Sequence, residues 1–412
     1  MTFHKPPAAE KGADMDNIIC PNCQSVGCCH PFYQVLAVPT NSCLLVEDRR
    51  RALDFPTGDI LLMLCSGCGF VFNAAWDAKR TVYSDQYEET QGFSPTFNKF
   101  NHALAEELIN NYEIRGKTVL EIGCGKGEFL SLICKLGGNR GIGYDPSFVP
   151  ARQHAAPGVR FVREFFTENT SEIAPDLLCC KMTLEHIGHT HRFLTSVRQV
   201  ANRVDSFVFF QVPDVHRILK EGAFWDIYYE HCSYFSATSL KQLFLGTGFA
   251  VERIWTGYDD QYLMIMARPT IAESVVPLGG QEDVGGIVYL CGSFAAAAAQ
   301  SRSAWLSRLR NWAAAGQRSV LWGSGSKAVA FLTTLGIHDE IEYAVDINPH
   351  RVGRFLPGTG QRIVAPTFLR SYQPDNVVIM NPIYLREIER ELARQRCESS
   401  IYTILDIEAE HA

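Results

Sequence analysis

The stretch VLEIGCGKGEFL, from Val119 to Leu130, decides the fold of this chain. It opens with an apolar, β-prone run that ends at Ile122, passes through three alternating glycines, and closes with apolar side chains at helical spacing. Glycine suits such a turn because a Cβ would keep the backbone away from a ligand lying across the carboxyl end of the strand. The stretch therefore predicts a strand, a glycine turn and a helix that form a nucleotide-binding site.

Acidic residues accompany this turn. Glu121 precedes the glycines, and Asp145 ends the next apolar strand about 20 residues further on, where an acidic side chain usually meets ribose hydroxyls. A dinucleotide fingerprint would place Gly or Ala at position 128, but Glu128 stands there. The pattern resembles the S-adenosylmethionine site of class I methyltransferases. A glycine-rich turn that serves packing alone is the alternative, and the later strand ends in the expected order make it the weaker one.

The same resemblance implies which side chains meet the cofactor. Two further strand ends, before Arg163 and before TLEHIGH at 183–189, become the adenine-side and methionine-side loops. The expected cofactor-binding residues are Glu121, Gly123, Cys124, Gly125, Gly127, Asp145, Glu164, Phe165 and Leu184.

Length and charge limit the possible partners. A chain of 412 residues predicts about three domains, and 38 basic against 45 acidic residues, net −7, argue against a nucleic-acid substrate. We therefore expect a small-molecule acceptor. No apolar run approaches the ~20 residues of a membrane span, and the polar start lacks the apolar core of a signal peptide. These features predict a cytoplasmic protein with reduced thiols, and its oligomeric state stays open.

Cysteine placement predicts a metal site near the N-terminus. Seven of the 14 cysteines precede residue 69, and they include two Cys-x-x-Cys pairs, Cys20 with Cys23 and Cys65 with Cys68. Two such pairs suit a closed, tetrahedral, structural Zn²⁺ site, although the gap between them is longer than in an ordinary zinc ribbon. Buried thiols that act as small hydrophobes are the alternative. The rival ligands are Cys28, Cys29, His30 and Cys43.

These landmarks predict an α/β protein of three domains. A zinc-binding cap spans 1–85, a class I methyltransferase domain with a Rossmann-like sheet spans 86–270, and a second Rossmann-like domain spans 271–412. We expect a linking helix near 97–112, a hairpin that closes the central sheet, and a helix through the AAAAA tract at 295–299.

A second glycine turn lies in SVLWGSGSKAVAFL, which starts at Ser319. Gly323, Gly325 and Ala328 satisfy a relaxed dinucleotide fingerprint, and Asp346 ends the next predicted strand. Taken alone, the unit could bind NAD, which makes an NAD-using oxidoreductase the sharpest rival function. A scaffold that uses its glycine turn only for packing is at least as plausible.

The three parts in this order resemble the zinc-containing sugar C-methyltransferases of deoxysugar biosynthesis. The most specific element is FWDIYYEHCSYFS, which is similar to the Tyr-His-Glu-His block, followed by Ser-Tyr-Phe, that carries catalysis in that family. Tyr228, Glu230 and His231 match this block, whereas Tyr229 replaces its first histidine. The C-terminal RVGRFLPGTGQRIVAP also looks like a family segment, and the resemblance implies that its domain helps hold a nucleotide-sugar.

The resemblance implies carbon methylation through an enolate, which needs a base and an oxyanion stabiliser. We expect His231 to act as the base, Glu230 to orient it or contact the substrate, and Tyr228 to hydrogen-bond the oxyanion. Glu185 and His186 are second candidates for the base, and Tyr83 and Tyr87 are expected to line the pocket from the cap.

Two segments depart from the family pattern and leave the acceptor open. VYSDQYEETQGFSPTF and IMNPIYLREI stand where sugar enzymes carry other motifs, on surfaces expected to face the acceptor. The expected acceptor is a nucleotide-linked keto-deoxysugar or a related natural-product precursor. A non-sugar acceptor and an inactive scaffold protein are the alternatives.

Overall fold

The computed structural model describes residues 17–152, 156–168, 174–201, 206–270 and 281–407. Residues 1–16 of the predicted cap lie outside the described residues. The start of the predicted C-terminal domain, 271–280, lies outside them as well. The three predicted domain boundaries stay predictions.

The cap contains a four-stranded antiparallel sheet of order β1-β2-β3-β9. Its last strand comes from far along the chain, because Val71 pairs with Tyr234 and Phe72 with Ser233. The cap is thereby joined to the chain immediately after the predicted catalytic block. Its elements are β1 (Cys29–Pro39), α1 (Arg49–Leu53), β2 (Thr57–Cys65), β3 (Val71–Asn73) and β9 (Ser233–Tyr234).

The central domain is built on a seven-stranded sheet of order β10-β11-β8-β7-β4-β5-β6. The five strands β8, β7, β4, β5 and β6 are parallel to one another. Strand β11 is antiparallel to both of its neighbours, β10 and β8, and its pairing with β10 is the predicted hairpin. The run Leu177–Lys181 is buried at every position, as expected for a central strand with both faces covered. The bounds are α2 (Pro95–Asn111), β4 (Thr118–Ile122), α3 (Glu128–Gly137), β5 (Arg140–Tyr144), β6 (Val159–Val162), β7 (Leu177–Lys181), α4 (Thr190–Ala201), β8 (Phe207–Pro213), α5 (Val215–Lys220), α6 (Ala237–Gly246), β10 (Phe249–Gly257) and β11 (Tyr262–Pro269).

The C-terminal domain has a five-stranded parallel sheet of order β14-β13-β12-β15-β16, which is the small open α/β unit that the sequence predicts. Its second glycine turn joins β12 to α8. The bounds are α7 (Gln281–Ala314), β12 (Ser319–Trp322), α8 (Ser326–Leu335), β13 (Tyr343–Val345), β14 (Arg362–Val364), α9 (Leu369–Tyr372), β15 (Asn376–Ile379), α10 (Leu385–Gln395) and β16 (Ser400–Thr403).

Helix α7 joins the parts of the molecule, and it contains the predicted alanine tract. Phe294 packs edge-on against Tyr33 of the cap with ring centroids 4.9 Å apart, and Trp305 Nε1 donates to the carbonyl oxygen of Ile404 at 3.0 Å. Among the described helices, it alone is long and apolar enough, over Val284–Ala314, to cross a membrane by length and composition. The helix through the alanine tract agrees with the sequence prediction, but its length and apolar composition do not follow from it, because alanine raises the mean hydropathy without a run of large apolar residues. The predicted cytoplasmic location stays a prediction.

Candidate active site

The first glycine turn, Gly123–Gly127, has the backbone that its sequence predicts. Gly123 and Gly125 lie in the left-handed region with φ of 68° and 52°, which side chains rarely adopt. A Cβ on Gly123 would lie 2.0 Å from Thr183 Oγ1, so the turn also lacks space for a side chain. Glycine is therefore required here for both conformation and close approach.

Two predicted carboxylates flank this turn. Glu121 is 2% exposed, and its Oε2 has no hydrogen-bond partner in the described part of the chain. Burial raises the pKa of Glu121 to about 7, although nearby Lys181 opposes the shift. Asp145 Oδ2 accepts a hydrogen bond from the backbone N–H of Gly125 at 2.8 Å, and its Oδ1 accepts from the N–H of Ser147 at 2.7 Å. The turn thus has acceptors for a ligand with hydroxyl or ammonium groups.

The other predicted cofactor residues have different surroundings. Cys124 is buried, with its Sγ against the neighbouring strand at Gly143. Glu164 is exposed, and Phe165 is 65% exposed after β6, so both are accessible to a ligand. The Leu184 side chain is fully buried in the core beneath the sheet. The Leu184 side chain is therefore not accessible to a ligand, and its predicted contact with the cofactor stays a prediction.

In the predicted catalytic block, Tyr228–His231, the Glu230 and His231 side chains are buried and Tyr228 lies partly buried beside them. The rings of Tyr228 and His231 lie with centroids 4.2 Å apart. Glu230 is fully buried and accepts hydrogen bonds from the backbone N–H of Ser42 at 2.8 Å and from its hydroxyl at 2.9 Å. The Tyr87 hydroxyl donates to the same carboxylate at 3.3 Å. The cap therefore fixes the orientation of Glu230.

The second candidate base packs behind this block. His186 lies on a short 3-10 turn, Leu184–His186, and its ring centroid is 4.8 Å from that of His231. Its Nδ1 lies 2.9 Å from the Tyr83 hydroxyl and 3.0 Å from the Glu230 carbonyl oxygen. These contacts hold His186 in place. Tyr83 contacts His186 and Tyr87 contacts Glu230, but neither tyrosine is among the residues that line the neighbouring cavity, so their predicted place in the pocket stays a prediction.

Burial decides the protonation of the two histidines. It lowers the pKa of His231 well below its usual value, and nearby His186 and Lys327 lower it further. It also lowers the pKa of His186 to about 4, although the bond to the Glu230 carbonyl opposes the shift. Both imidazoles are therefore neutral at neutral pH and able to accept a proton.

Two buried glutamates have raised pKa values. Burial raises the pKa of Glu230 to about 7, with the bonds from Ser42 and Tyr87 acting in the opposite direction. It raises the pKa of Glu185 to about 8, and neither carboxyl oxygen of Glu185 has a hydrogen-bond partner among the described residues. Glu185 and both histidines place ligand atoms within 4.8 Å of one another. An unbonded buried carboxyl group favours the protonated form of Glu185 at neutral pH.

Tyr229, which replaces the first histidine of the family block, points away from this cluster. Its ring packs where a Cβ on Gly58 would come within 2.3 Å, and its hydroxyl accepts from the backbone N–H of Asp77 at 2.9 Å. The side chain is fully buried in the cap. The substitution therefore changes the support of the site and leaves the ligand-facing side chains in place.

A cavity of about 260 Å³ lies between the central and C-terminal domains. Tyr228 and His231 line one side, and the second glycine turn, Gly323–Gly325, lines the other. Gly323 has φ of 104°, and the backbone N–H of Ser324 donates to Asp346 Oδ2 at 3.0 Å. The second glycine turn therefore faces the predicted catalytic block across the cavity, whereas no residue of the first turn, Gly123–Gly127, is among those that line it.

Charged residues that the sequence analysis missed also line this cavity. Lys327, at the start of α8, lies 2.6 Å from Asp226 Oδ2, and Arg217 Nη2 donates to the same oxygen at 2.5 Å. Asp226 stands two positions before Tyr228 inside the quoted block, and Lys327 follows the second glycine turn directly. Their closeness in sequence to the predicted catalytic block and to the second glycine turn could have identified both residues as part of the site.

The two segments that depart from the family pattern meet at this cavity. The Tyr384 hydroxyl donates to Gln91 Oε1 at 2.6 Å, and Gln261 and Asn381 exchange two amide hydrogen bonds of 3.0 Å each. All four side chains line the cavity. These hydrogen-bonded side chains give this wall of the cavity a polar surface.

The four predicted metal ligands come together in the cap. Cys20 and Cys68 have their Sγ atoms 3.7 Å apart, and Cys23 and Cys65 have the same separation. A tetrahedron with Zn–S bonds of about 2.3 Å has edges of roughly 3.8 Å, so the four thiols fit a zinc ion. Of the rivals, the Cys28 Sγ lies 3.5 Å from that of Cys65.

The remaining rival ligands have other surroundings. Cys29 is grouped with Cys28 and Cys65, whereas Cys43 lies away from the cluster, where its Sγ is 3.3 Å from Ser326 Oγ and lines the cavity.

The chain is similar to known methyltransferases. Residues 97–254 match the family described as a methyltransferase domain, and residues 270–404 match the C-methyltransferase C-terminal domain. The C-methyltransferase NovU of Streptomyces niveus is 28% identical over 288 residues, which are 66% of this chain and 68% of that protein.

Two solved structures are more distant. Magnesium protoporphyrin IX methyltransferase from Synechocystis PCC 6803 is 13% identical with a TM-score of 0.34, over 42% of this chain and 84% of its own. The 1,6-didemethyltoxoflavin-N1-methyltransferase of Burkholderia thailandensis is 19% identical with a TM-score of 0.34, over 43% and 82%. The family matches carry the conclusion: the chain is a methyltransferase enzyme with the C-terminal domain of C-methyltransferases.

Proposed function

We propose that this enzyme transfers a methyl group from S-adenosylmethionine to a carbon atom next to a carbonyl group in a nucleotide-linked keto-deoxysugar. The observation that carries the proposal is the shared cavity, in which His231 and Tyr228 face the second glycine turn. A base, an oxyanion donor and a separate binding surface for the acceptor then lie around one space. A related natural-product precursor is the alternative acceptor, and the polar wall of Gln91 and Tyr384 supports keeping it open.

The first glycine turn fits S-adenosylmethionine. Glu121 offers a buried acceptor without a partner, Asp145 stands at the end of the second strand, and the glycines leave room for the ligand. We assign Gly123 to Gly127 to the methionyl end, and Glu164 and Phe165 to the adenosine end. When bound, the cofactor supplies an electrophilic methyl group.

The chemistry begins with loss of a proton from the acceptor carbon. Neutral His231 accepts this proton, and the Tyr228 hydroxyl donates a hydrogen bond to the oxygen on which negative charge develops. Glu230, held by Ser42 and Tyr87, positions the block from behind. With S-adenosylmethionine held by the first glycine turn, the carbanion would take the methyl group as the C–S bond breaks and its electron pair stays on sulfur, and proximity would supply much of the acceleration.

The C-terminal domain supports binding of a phosphorylated acceptor. The N-terminus of α8 begins at Ser326 after Gly325, and no side chain caps it. Free N–H groups at a ten-residue helix favour an anionic group, and the cavity reaches this point. This arrangement, together with the match to the C-methyltransferase C-terminal domain, favours an acceptor-binding role over an NAD site.

We also propose that Cys20, Cys23, Cys65 and Cys68 hold a structural Zn²⁺. All four ligands are thiols, which leaves no position for a reacting molecule. The ion would fix the cap, whose Ser42 and Tyr87 in turn hold Glu230.

Substitution Gly123→Ala is expected to weaken S-adenosylhomocysteine binding by at least about tenfold, because the new Cβ meets Thr183 and the backbone has φ of 68°. Isothermal titration calorimetry measures the change. Gly246→Ala is the matched control, since a Cβ there meets nothing within 4 Å. Wild-type affinity in Gly123→Ala would place the cofactor elsewhere.

The acceptor is tested with methyl-labelled S-adenosylmethionine and a panel of nucleotide-linked 4-keto-6-deoxysugars. We expect release of S-adenosylhomocysteine together with a gain of one methyl group in the mass of one sugar. If the cofactor binds but no sugar is methylated, the chain is still a methyltransferase but the sugar is not its acceptor. Protection from thermal unfolding by NAD but not by S-adenosylhomocysteine would instead favour an oxidoreductase.

A further inference from the structure

The segment 86–92 runs from the cap across the first glycine turn and is held there by several contacts. The Lys126 ammonium donates to the carbonyl oxygen of Tyr87 at 2.7 Å. The Thr90 hydroxyl lies 2.6 and 2.7 Å from the two carboxyl oxygens of Glu128, at the start of α3. The segment therefore forms one wall of the proposed cofactor site, although it precedes the matched methyltransferase domain.

Glu89 is the side chain of this segment that faces the turn. Its Oε1 lies 2.6 Å from the position that a Cβ on Gly125 would take. Glu89 is also one of the residues that line the cavity with His231, and 31% of its side chain is exposed. The carboxylate consequently stands between the cofactor turn and the acceptor cavity, where it is accessible to a ligand.

Its ion pair with Lys126 does not fully satisfy this carboxylate. Glu89 Oε2 lies 3.2 Å from Lys126 Nζ but is buried without a hydrogen bond. Lys126 already donates to the carbonyl oxygens of Tyr87 and Ser147, at 2.7 and 3.2 Å. Burial raises the pKa of Glu89 to about 7, although Lys126 opposes the shift, and a cationic ligand beside Oε2 would favour the ionised form.

The substrate and product forms of the cofactor differ by one positive charge. S-adenosylmethionine carries a sulfonium and an ammonium against one carboxylate. When the methyl group leaves, the bonding electron pair stays on sulfur, so S-adenosylhomocysteine is a neutral thioether at that atom. A carboxylate at the junction of the two sites attracts the first form more strongly than the second.

Resting on the proposed function, we propose that Glu89 is a cofactor-binding residue that selects cationic S-adenosylmethionine over neutral S-adenosylhomocysteine. Glu121, on the other side of the turn, adds a second carboxylate. Product release is then favoured because methyl transfer itself removes the charge that Glu89 attracts.

The test is calorimetric binding to the full chain, with no acceptor present. Three ligands are compared: S-adenosylmethionine, S-adenosylhomocysteine, and sinefungin, in which an amine-bearing carbon replaces the sulfonium. Glu89→Gln is expected to weaken the two cationic ligands by about tenfold and S-adenosylhomocysteine by less than about twofold. Glu252→Gln is the matched control, because it removes a partly exposed charge that pairs with Arg268 at 2.6 Å on the edge strand of the central sheet, away from the first glycine turn. It should change none of the three affinities.

Other results distinguish the two levels of the proposal. If the wild-type protein binds none of the ligands, the proposed function fails. If it binds all three and Glu89→Gln weakens them equally, or weakens none, the role of Glu89 is refuted while the function stands. If Glu89→Gln does not fold, Glu89→Asp is the second variant. It keeps a negative charge for Lys126 but shortens the side chain, which moves the carboxylate away from the ligand. A loss confined to the cationic ligands is expected there too.

Discussion

Replacing His231 with asparagine is expected to lower the rate of methyl transfer by about 10²- to 10⁴-fold, the usual contribution of a general base. Two observations single out this imidazole. It lines the cavity beside Tyr228, and burial keeps it neutral by lowering its pKa well below the usual value. Cofactor affinity should stay within about twofold, because His231 lies in the acceptor cavity rather than in the first glycine turn.

Removal of the acceptor proton can be measured separately from methyl transfer. In D₂O with S-adenosylhomocysteine bound, the wild-type enzyme should exchange the acidic carbon-bound proton of the acceptor for deuterium without any methylation. His231→Asn should abolish this exchange. Mass spectrometry of the recovered acceptor measures it, and the assay does not depend on the methyl group.

His186→Asn is the matched control for this experiment. Nδ1 of His186 is already in contact with the Tyr83 hydroxyl and the Glu230 carbonyl, so we expect a loss of about tenfold or less through disturbed packing. If His186→Asn abolished the exchange and His231→Asn retained it, the base would be His186. Retained exchange in both variants would rule out both histidines.

The parts of the site that short sequence motifs carry could be predicted from the sequence. Glycines at 123, 125 and 127 specify a turn because their conformation is set by immediate neighbours, and two Cys-x-x-Cys pairs specify a ligand set in the same way. A short block also carries Tyr228 and His231, which the structure places on the wall of the cavity. In each case the chemistry lies within a few residues of sequence.

The rest of the site comes from contacts that sequence spacing does not encode. Ser42 bonds to Glu230 across 188 positions, and it does so because the cap sheet takes β9 from the end of the catalytic block. A two-residue strand gives no periodic signal, so neither the pairing nor Ser42 was predictable. The fate of Tyr229 was equally hidden, because only the packing against Gly58 shows that it faces the cap.

Removing the proposed zinc ion from the cap is expected to unfold the cap and to abolish activity. Structural zinc sites contribute apparent binding free energies of about 10–16 kcal/mol at pH 7, more than most domains have in total stability. Cys68→Ser should therefore give a protein with less than one Zn²⁺ per chain by elemental analysis and a lower thermal unfolding midpoint. Cys68 is fully buried and 3.7 Å from Cys20, so no water molecule readily replaces its thiolate.

Loss of activity follows from the position of the cap rather than from any reaction at the metal. Ser42 and Tyr87 hold the Glu230 carboxylate, and β3 pairs with β9 directly after His231. Without an ordered cap, Glu230 loses its hydrogen-bond donors while the first glycine turn, on a separate sheet, persists. We therefore expect zinc-free protein to lose methyl transfer more completely than S-adenosylhomocysteine binding.

Cys28→Ser separates the predicted ligand set from its nearest rival. The Cys28 Sγ is only 3.5 Å from that of Cys65, yet the two Cys-x-x-Cys pairs already provide four thiols for one tetrahedral ion. The variant should keep one Zn²⁺ per chain and its unfolding midpoint. If Cys28→Ser lost the metal and Cys68→Ser retained it, Cys28 would replace Cys68 as a ligand. If both variants and the wild-type chain contained no zinc, the cap would be held by its buried thiols acting as small apolar side chains.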